Sequence, residues 1–258
     1  MRLEAQGLQA GYDERTVIDA LSAEIPEGKL SVIIGPNACG KSTLLKALAR
    51  LLKPRGGTVL LDGRSIHDMP PREMAQRLGV LPQSPLVPEG ITVADLVARG
   101  RQPYQRWWRQ CSTEDSAAVK SAMQRADVAE LAERHVDELS GGQRQRVWIA
   151  MALAQETEAL LLDEPTTFLD LAHQVDVLNL LRRLQSDGRT VVAVLHDLNQ
   201  AARYADHVIA MREGAIVAQG RPSDVVTVEL VNDVFGLECV IVPCPVTGAP
   251  LVVPRKGI

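Results

Sequence analysis

The chain has 258 residues and a net charge of −4, with 28 lysines and arginines against 32 aspartates and glutamates. This length allows one large or two small domains, and the mild acidity argues against a nucleic-acid-binding protein, which normally has a strong basic bias. No apolar run approaches the roughly 18 residues that cross a bilayer, and the first residues lack a secretory signal, so we expect a cytoplasmic protein.

The first third of the chain predicts strands that surround one glycine-rich loop. Residues 2–25 are β-like, with a turn at Gly11–Asp13. The apolar run at residues 30–34 predicts a short buried strand. A glycine-rich loop follows it, then a helix over residues 41–50 and a strand over residues 58–61.

The rest of the chain alternates helices with buried strands. Residues 91–154 predict a helical region with helix starts at Thr92 and Ser112. Strands are predicted at residues 159–162 and 191–195, with an amphipathic helix over 171–186 between them. Buried strands that alternate with helices indicate a parallel sheet covered on both faces. The fold class is therefore α/β with an antiparallel β flank and a helical insert, and the tail (236–258) is strand-like.

The phosphate-binding candidate is the segment from Gly35 to Ser42, which reads GPNACGKS and fits the pattern G-x-x-x-x-G-K-S. A β-branched strand precedes it and a helix follows it, as this motif requires. Its backbone amides and the helix N-terminus favour phosphate oxygens. Lys41 is predicted to bind the β- and γ-phosphates, and the Ser42 hydroxyl to bind Mg²⁺.

Two acidic residues end the strand at residues 159–162, at the edge of the sheet where ligands of open α/β sheets bind. Asp163 is predicted to hold Mg²⁺ through water, and Glu164 to accept a proton from the attacking water. His196 ends the next predicted strand at the same edge, where a γ-phosphate contact is needed. Gln83 follows a short strand at residues 79–81 and is a further candidate ligand, although by itself it also fits an ordinary surface glutamine.

The segment Leu139–Gln143 reads LSGGQ. Its serine and glycine amides open a helix and form an anion site without a basic side chain. Together with the phosphate loop and the acid pair in this order, it resembles the signature of ABC ATPases, and the resemblance covers essentially the whole chain. It implies a P-loop NTPase (RecA-like) core, ATP and Mg²⁺ as ligands, and a head-to-tail homodimer that encloses two ATP molecules.

The resemblance also implies further roles. Tyr12 resembles the aromatic residue that stacks on adenine, and Gln83 the glutamine that touches Mg²⁺ and reports to the membrane subunits. Residues 167–170 resemble the loop through which protomers communicate, although Phe168 is bulkier than the usual alanine. The implied catalytic residues are Lys41, Gln83, Glu164 and His196. The implied nucleotide-binding residues are Tyr12, Gly35, Pro36, Asn37, Ala38, Cys39, Gly40, Lys41, Ser42, Thr43, Ser140, Gly141, Gly142, Gln143 and Asp170, and the implied metal ligands are Ser42, Gln83 and Asp163.

Two residues of the phosphate loop raise separate questions. Ala38 stands where glycine is common, and we expect it to be tolerated because alanine is costly only at positive φ. Cys39 lies beside Lys41 and a helix N-terminus, so we expect its thiol to be partly activated. The other cysteines, Cys111, Cys239 and Cys244, show no metal-binding spacing and are expected to be reduced thiols.

The implied organisation is a single ABC ATPase domain. Residues 1–85 and 155–235 would form the nucleotide-binding core with its β flank, residues 86–154 the helical subdomain, and residues 236–258 the tail. The implied partners are integral membrane permease subunits and, indirectly, a solute-binding protein, with the chain at the cytoplasmic face of the cell membrane and no nucleic-acid partner.

Four segments are similar to the ATPases of iron–siderophore importers of the ferric-enterobactin type. They lie around Arg99, His173 and Asn199, and in the tail around Thr247. Vitamin B12 and haem importers share much of this pattern and remain alternatives. A soluble ABC ATPase that acts on DNA or ribosomes is a further alternative, although it would normally have tandem cassettes or long insertions. A P-loop small-molecule kinase does not need the LSGGQ segment. Trp107 and Trp108 fit either a permease contact or a solvated loop.

Overall fold

The computed structural model describes residues 1–83, 88–105 and 112–255. The chain divides into two compact units, which are described separately: the first comprises Met1–Asp68 and Gln185–Ile258, and the second Met69–Leu184. In the described part of the chain, no helix is both long and apolar enough to cross a membrane. The predicted α/β class is confirmed. The finer division at residues 85, 154 and 235 stays a prediction.

The first unit contains an antiparallel sheet in the order β2-β1-β4-β5. Strand β2 alternates buried and exposed residues along much of its length, as expected for a sheet with one face in water. This sheet is the predicted antiparallel flank. Its strands are β1 (Leu3–Tyr12), β2 (Arg15–Ile25), β4 (Gly56–Leu61) and β5 (Arg64–Ser65).

A second group of strands in the same unit runs in the order β10-β9-β3-β8. Strand β3 pairs in parallel with both β8 and β9, and β9 forms an antiparallel hairpin with β10. Every residue of β3 and β8 is buried, which explains why their sequences are apolar except for Ser31 and Thr190. The strands are β3 (Leu30–Ile34), β8 (Thr190–Val194), β9 (His207–Arg212) and β10 (Ala215–Gly220).

The helices of the first unit are short, and the tail forms a hairpin. Cys239 and Val252 of this hairpin pack with Ala202, Val226 and Val231 in a small apolar cluster, so the tail is part of the core. The predicted strand-like tail is confirmed. The elements are α1 (Lys41–Leu48), α7 (Leu198–Tyr204), α8 (Pro222–Val225), α9 (Val228–Phe235), β11 (Cys239–Pro243) and β12 (Pro250–Pro254).

The second unit joins a parallel strand pair, β6 (Leu78–Leu81) and β7 (Ala159–Leu162), to a helical region. Thr92 and Ser112 cap their helices through side-chain oxygens, which confirms both predicted helix starts. The helices are α2 (Pro71–Arg77), α3 (Val93–Ala98), α4 (Thr113–Arg125), α5 (Gly141–Ala154) and α6 (Leu171–Ser186), with 3₁₀ turns at Arg99–Arg101, Ala129–Leu131 and Val136–Glu138.

Candidate functional site

The phosphate loop joins the carboxyl end of β3 to the first turn of α1. Gly35 has φ 152°, and a Cβ atom at this position would lie 2.2 Å from the carbonyl oxygen of Met211 and 2.7 Å from the Sγ atom of Cys39. No other residue type fits there without displacing the backbone. The residue that precedes α1 is Gly40, at φ 107°, which has no side chain to cap the first amides of the helix. Those amides are left to an external anion.

Lys41 is buried, with 5% of its surface exposed. Its Nζ atom donates hydrogen bonds to the carbonyl oxygens of Gly35 and Pro36, both at 2.9 Å. The ammonium group is therefore held across the loop by the loop's own backbone. This arrangement keeps a positive charge beside the uncapped amides of α1.

Ala38 adopts φ 61°. The expectation that alanine would be tolerated depended on an ordinary φ, and that expectation was wrong. The left-handed conformation costs a residue with a Cβ atom about 1–2 kcal/mol. The loop therefore contains one residue under backbone strain.

Cys39 is buried, and this burial raises the pKa of its thiol, although the positive charge of Lys41 opposes the effect. The expected activation of the thiol was therefore wrong, because desolvation disfavours the thiolate more strongly than the lysine favours it. Cys39, Cys239 and Cys244 are free thiols, as predicted, and Cys111 lies outside the described residues.

His196 lies at the same edge of the first unit as the phosphate loop. Strands β3 and β8 are parallel neighbours, and the amide of Leu195 donates to the carbonyl oxygen of Ile33 at 3.2 Å. The exposed His196 follows directly, and Asp197 then caps α7 by accepting a hydrogen bond from the amide of Gln200. The strand and the capped helix thus fix the backbone on both sides of the histidine.

Tyr12 ends β1 in the same unit, and 43% of its surface is exposed. The Nζ atom of Lys46 lies 5.9 Å from the centre of its ring. An exposed aromatic ring near a cation is compatible with the predicted stacking on adenine. The stacking itself stays a prediction.

The acid pair of the second unit follows β7. The amide of Asp163 donates to the carbonyl oxygen of Leu81 at 2.9 Å, which places the end of β7 beside the end of β6. Asp163 is buried, with 2% of its surface exposed. Its carboxyl group and that of Glu164 therefore begin at one edge of this strand pair, as the sequence predicts.

The carboxylate of Glu164 accepts two hydrogen bonds at its Oε2 atom. Gln83 Nε2 donates at 2.6 Å and Thr167 Oγ1 at 3.1 Å. Glu164 itself has φ 53°, in the left-handed region. Sequence reasoning placed Gln83 at the correct edge but missed the contact of Thr167 with the glutamate. The spacing of three residues between Glu164 and Thr167 could have predicted this contact, because it is typical of a short turn in which a hydroxyl donates to a carboxylate.

The LSGGQ segment begins α5 with a capping box. Ser140 Oγ accepts from the amide of Gln143 at 3.3 Å, and Gln143 Oε1 accepts from the amide of Ser140 at 3.2 Å. The predicted helix start is confirmed, and Ser140 and Gly141 are exposed. Gly142, in contrast, is buried against the imidazole ring of His173.

The loop at residues 167–170 and the start of α6 each present one apolar side chain to solvent. Phe168 has φ 64° and is 94% exposed, and Leu171, which begins α6, is 71% exposed. Asp170 accepts two hydrogen bonds from His173, one from the backbone amide and one from the ring. The backbone hydrogen bond from His173 is the largest cause that lowers the pKa of Asp170, and the ring hydrogen bond is the next.

Trp107 and Trp108 lie outside the described residues. The segment that leads toward them is firmly attached through Arg101, a residue whose structural role the sequence did not reveal. Arg101 Nε donates to Asp115 at 2.8 Å, and its Nη1 atom donates to Glu156 at 2.6 Å and to the carbonyl oxygen of Ala154 at 2.8 Å. The side chains of Arg101 and Asp115 are both almost fully buried.

The predicted metal ligands lie in both units, Ser42 in the first and Gln83 and Asp163 in the second. Their side chains offer only hydroxyl, amide and carboxylate oxygens, with a single carboxylate among them. This set fits Mg²⁺, which takes oxygen ligands and usually needs only one or two carboxylates beside nucleotide phosphates. Among the described residues there is no cluster of three His, Cys, Asp or Glu side chains that would suit a different metal.

Known proteins are similar to this chain along almost its whole length. Residues 18–167 match the ABC transporter family. The chain is 54% identical to the ferric enterobactin transport ATP-binding protein of Escherichia coli K12, over 98% of this chain and 94% of that protein. It is 54% identical to the achromobactin transport ATP-binding protein of Dickeya dadantii, over 98% and 94%. Its identity to the hemin import ATP-binding protein of Rhodococcus jostii is 43%, over 98% and 86%.

A solved structure shows the same fold. The dimeric structure of a bacterial ABC transporter cassette superposes with a TM-score of 0.74 at 28% identity, and the match covers 85% of this chain and 98% of that one.

Proposed function

The chain belongs to the ABC transporter family, and we propose that it is the ATP-hydrolysing subunit of an importer for ferric siderophores. The observation that carries the ATPase assignment is the phosphate loop, in which a buried lysine is held by loop carbonyl oxygens and the first amides of α1 have no capping side chain. The similarity to relatives named for siderophore transport carries the substrate assignment.

The reaction proposed is in-line attack of water on the γ-phosphate of ATP. The loop amides and Lys41 bind the phosphates and offset the charge that develops on them. Glu164 accepts the proton of the attacking water, and His196 holds the γ-phosphate. Gln83 and Thr167 orient the carboxylate of Glu164, because both donate to the same oxygen. Mg²⁺, when bound by Ser42, Gln83 and Asp163, supplies further charge neutralisation.

The proposed active form is a homodimer that closes on two ATP molecules. Ser140 and the amides of Gly141 and Gly142 in one protomer would bind the γ-phosphate held by the partner's phosphate loop. The exposed position of Ser140 at the start of α5 supports this role, since a helix N-terminus attracts anions. Tyr12 would stack on the adenine ring, and the loop that contains Asp170 would contact the other protomer.

The proposed partners are integral membrane permease subunits and, through them, a solute-binding protein, with this chain at the cytoplasmic face of the membrane. A siderophore is favoured over haem because identity is 54% to the ferric enterobactin and achromobactin relatives and 43% to the hemin relative. The similarity in the tail, around Thr247, supports the same choice. A vitamin B12 importer is the remaining alternative.

Two variants test the ATPase assignment. Glu164→Gln keeps the size of the side chain but loses the proton acceptor, so hydrolysis should fall about 10²- to 10⁴-fold. ATP binding should persist, and ATP-bound dimers should accumulate. Lys41→Ala should lose both ATP binding and the dimer. Light scattering after gel filtration, with and without ATP, separates these outcomes, and Glu133→Gln, at an exposed site, is the matched control.

The rate of phosphate release from ATP, measured on the same variants, can refute the mechanism. A Glu164→Gln protein that hydrolyses ATP near the wild-type rate would remove Glu164 from the catalytic role.

Uptake in the source cell tests the substrate. Deletion of this protein should block uptake of radio-iron as a ferric siderophore and leave vitamin B12 uptake intact. Normal siderophore uptake in a clean deletion would contradict the substrate assignment without affecting the ATPase assignment.

A further inference from the structure

The ring of His173 lies directly against the backbone of Gly142. A Cβ atom on Gly142 would lie 2.2 Å from Cδ2 and 2.5 Å from Cγ of the imidazole. The neighbouring Gly141 differs, because a Cβ atom there would meet nothing closer than 3.8 Å. Of these two positions, only position 142 therefore requires glycine, because the ring of His173 lies too close to admit a Cβ atom.

The orientation of this ring is fixed from its other side. The backbone amide of His173 donates to Asp170 Oδ1 at 2.9 Å, and His173 Nδ1 lies 2.7 Å from the same oxygen. Because an ionised carboxylate can only accept hydrogen bonds, Nδ1 must carry the proton. Asp170 thus sets both the start of the α6 backbone and the plane of the imidazole.

These contacts connect two segments of the second unit. One segment is the loop that ends at Asp170, and the other is the start of α5, where Gly142 lies between Ser140 and the helix interior. A movement of Asp170 would turn the ring, and the ring would press on the backbone of Gly142. No other described side chain is as close to the Cβ position of Gly142 as this imidazole.

We propose that His173 is a positioning residue that transmits the position of Asp170 to the amides at the start of α5. The inference rests on the proposed function, in which those amides bind the partner protomer's ATP. His173 itself touches no nucleotide. His173 affects how readily the ATP-bound dimer closes. It does not affect the binding of ATP to a single protomer.

Variants that move one nitrogen atom distinguish this role from simple packing. His173→Asn keeps an amide nitrogen near the position of Nδ1, whereas His173→Gln moves the amide one bond farther from the backbone. All variants are made in the Glu164→Gln background, where ATP dimers persist. The ATP concentration needed for half-maximal dimer should rise about tenfold for His173→Gln and His173→Ala but remain within about threefold for His173→Asn.

Two control measurements accompany the dimer assay. Binding of a fluorescent ATP analogue to the single protomer and the thermal midpoint should be the same for all three variants. If the loss of dimer follows the loss of thermal stability, or if Asn and Gln behave alike, the histidine is only a packing residue and the proposal is overturned.

A size exchange tests the contact directly. Gly142→Ala places a methyl group where the ring lies, so it should abolish the dimer. Adding His173→Ala removes the ring and should restore dimer formation up to the level of His173→Ala alone. A double variant that is as defective as Gly142→Ala would overturn the proposal. Failure of the proposed function looks different, because Glu164→Gln with His173 intact would then form no ATP dimer at all.

Discussion

Two helix N-termini carry the proposed phosphate contacts of this protein, and they are built in opposite ways. Helix α1 follows Gly40, which adopts φ 107° and has no capping side chain. Helix α5 follows Ser140, which adopts an ordinary extended conformation and forms a reciprocal capping box with Gln143. At the first N-terminus no side chain caps the amides, so they can bind a ligand. At the second N-terminus the Ser140 side chain already accepts a hydrogen bond from one of the amides.

The difference shows where specificity for phosphate originates. The loop before α1 combines a glycine that admits no side chain, a buried lysine and a strained alanine. Its own conformation therefore makes it specific for phosphate groups. The start of α5 is locally an ordinary capped helix. Its role depends on what surrounds it, which in the proposed function is a second protomer.

The largest effect is expected at Gly35. Gly35→Ala would set a methyl group 2.2 Å from the carbonyl oxygen of Met211 and strain the backbone as well. ATP affinity of the single protomer should fall by about 100-fold, measured with a fluorescent nucleotide.

Gly141→Ala is the matched control from the other N-terminus, because its new methyl group meets only ordinary contacts. Its protomer should bind ATP within about threefold of wild type. Equal losses in the two variants would end the distinction between the two N-termini.

A second capping box, at the start of α4, sharpens the comparison. Its acid, Asp115, both caps the helix and binds the buried Arg101. Asp115→Asn leaves that guanidinium without its buried carboxylate partner, since Glu156 is more than half exposed, and should cost about 3–5 kcal/mol in the free energy of unfolding. Urea unfolding at pH 7 measures the loss, and Asp137→Asn, at an exposed site, is the control.

The same residue predicts a pH dependence. The hydrogen bond from Arg101 is the main cause that holds the pKa of Asp115 below its ordinary value. Its stabilising contribution is therefore complete above the unfolded pKa of about 3.9 and is lost as the pH falls through the lower, folded pKa. Below pH 4 the stability gap between wild type and Asp115→Asn should narrow. A constant gap down to pH 2 would contradict this assignment.

The thiols give a smaller effect. The pKa of Cys244 is lowered to about 7, chiefly by a hydrogen bond with the Thr247 side chain, whereas burial raises the pKa of Cys39. At pH 7 iodoacetamide should therefore modify Cys244 at least about tenfold faster than Cys39. Mass spectrometry of the modified peptides measures each site separately. Faster reaction at Cys39 would mean that the N-terminus of α1 does activate its neighbours.

The smallest effect is expected at Ala38. Ala38→Gly relieves about 1–2 kcal/mol of left-handed strain but adds about 0.5–1 kcal/mol of unfolded-state entropy. A net gain of about 0.5–1 kcal/mol in stability should appear in thermal unfolding. Ala117→Gly, on an exposed face of α4, should have the opposite sign. Two changes of the same sign would show that Ala38 is not strained.

The sequence predicts the regular helices and strands better than it predicts backbone strain, pKa shifts and contacts between distant residues. Strand β7 and helix α6 begin and end where their apolar patterns predict, because a buried strand and an amphipathic helix have distinct periods. No individual elements were predicted between His196 and the tail, although Asp197 and Thr227 both cap helices there. Its helices are too short to show a clear period.

The site was predicted in most detail where one segment forms it alone. The phosphate loop is such a segment, so its glycines and lysine follow from the motif. The conformation of Ala38 and the pKa of Cys39 were wrongly expected, because the motif states neither the φ of a loop residue nor the burial of a thiol in the folded chain. The contact between His173 and Gly142 joins residues 31 positions apart, and no local pattern reveals it.

Phe168 has a consequence of a different kind. Its ring is almost fully exposed to solvent, and its backbone adopts a left-handed conformation. A symmetric dimer contains every position twice, so whatever this ring contributes to assembly is counted twice. If the proposed dimer covers Phe168, a change worth about 1.4 kcal/mol per ring would alter the dimer constant about 100-fold. Natural variation at this single position could then adjust how readily the subunits pair, while both helix N-termini remain unaltered.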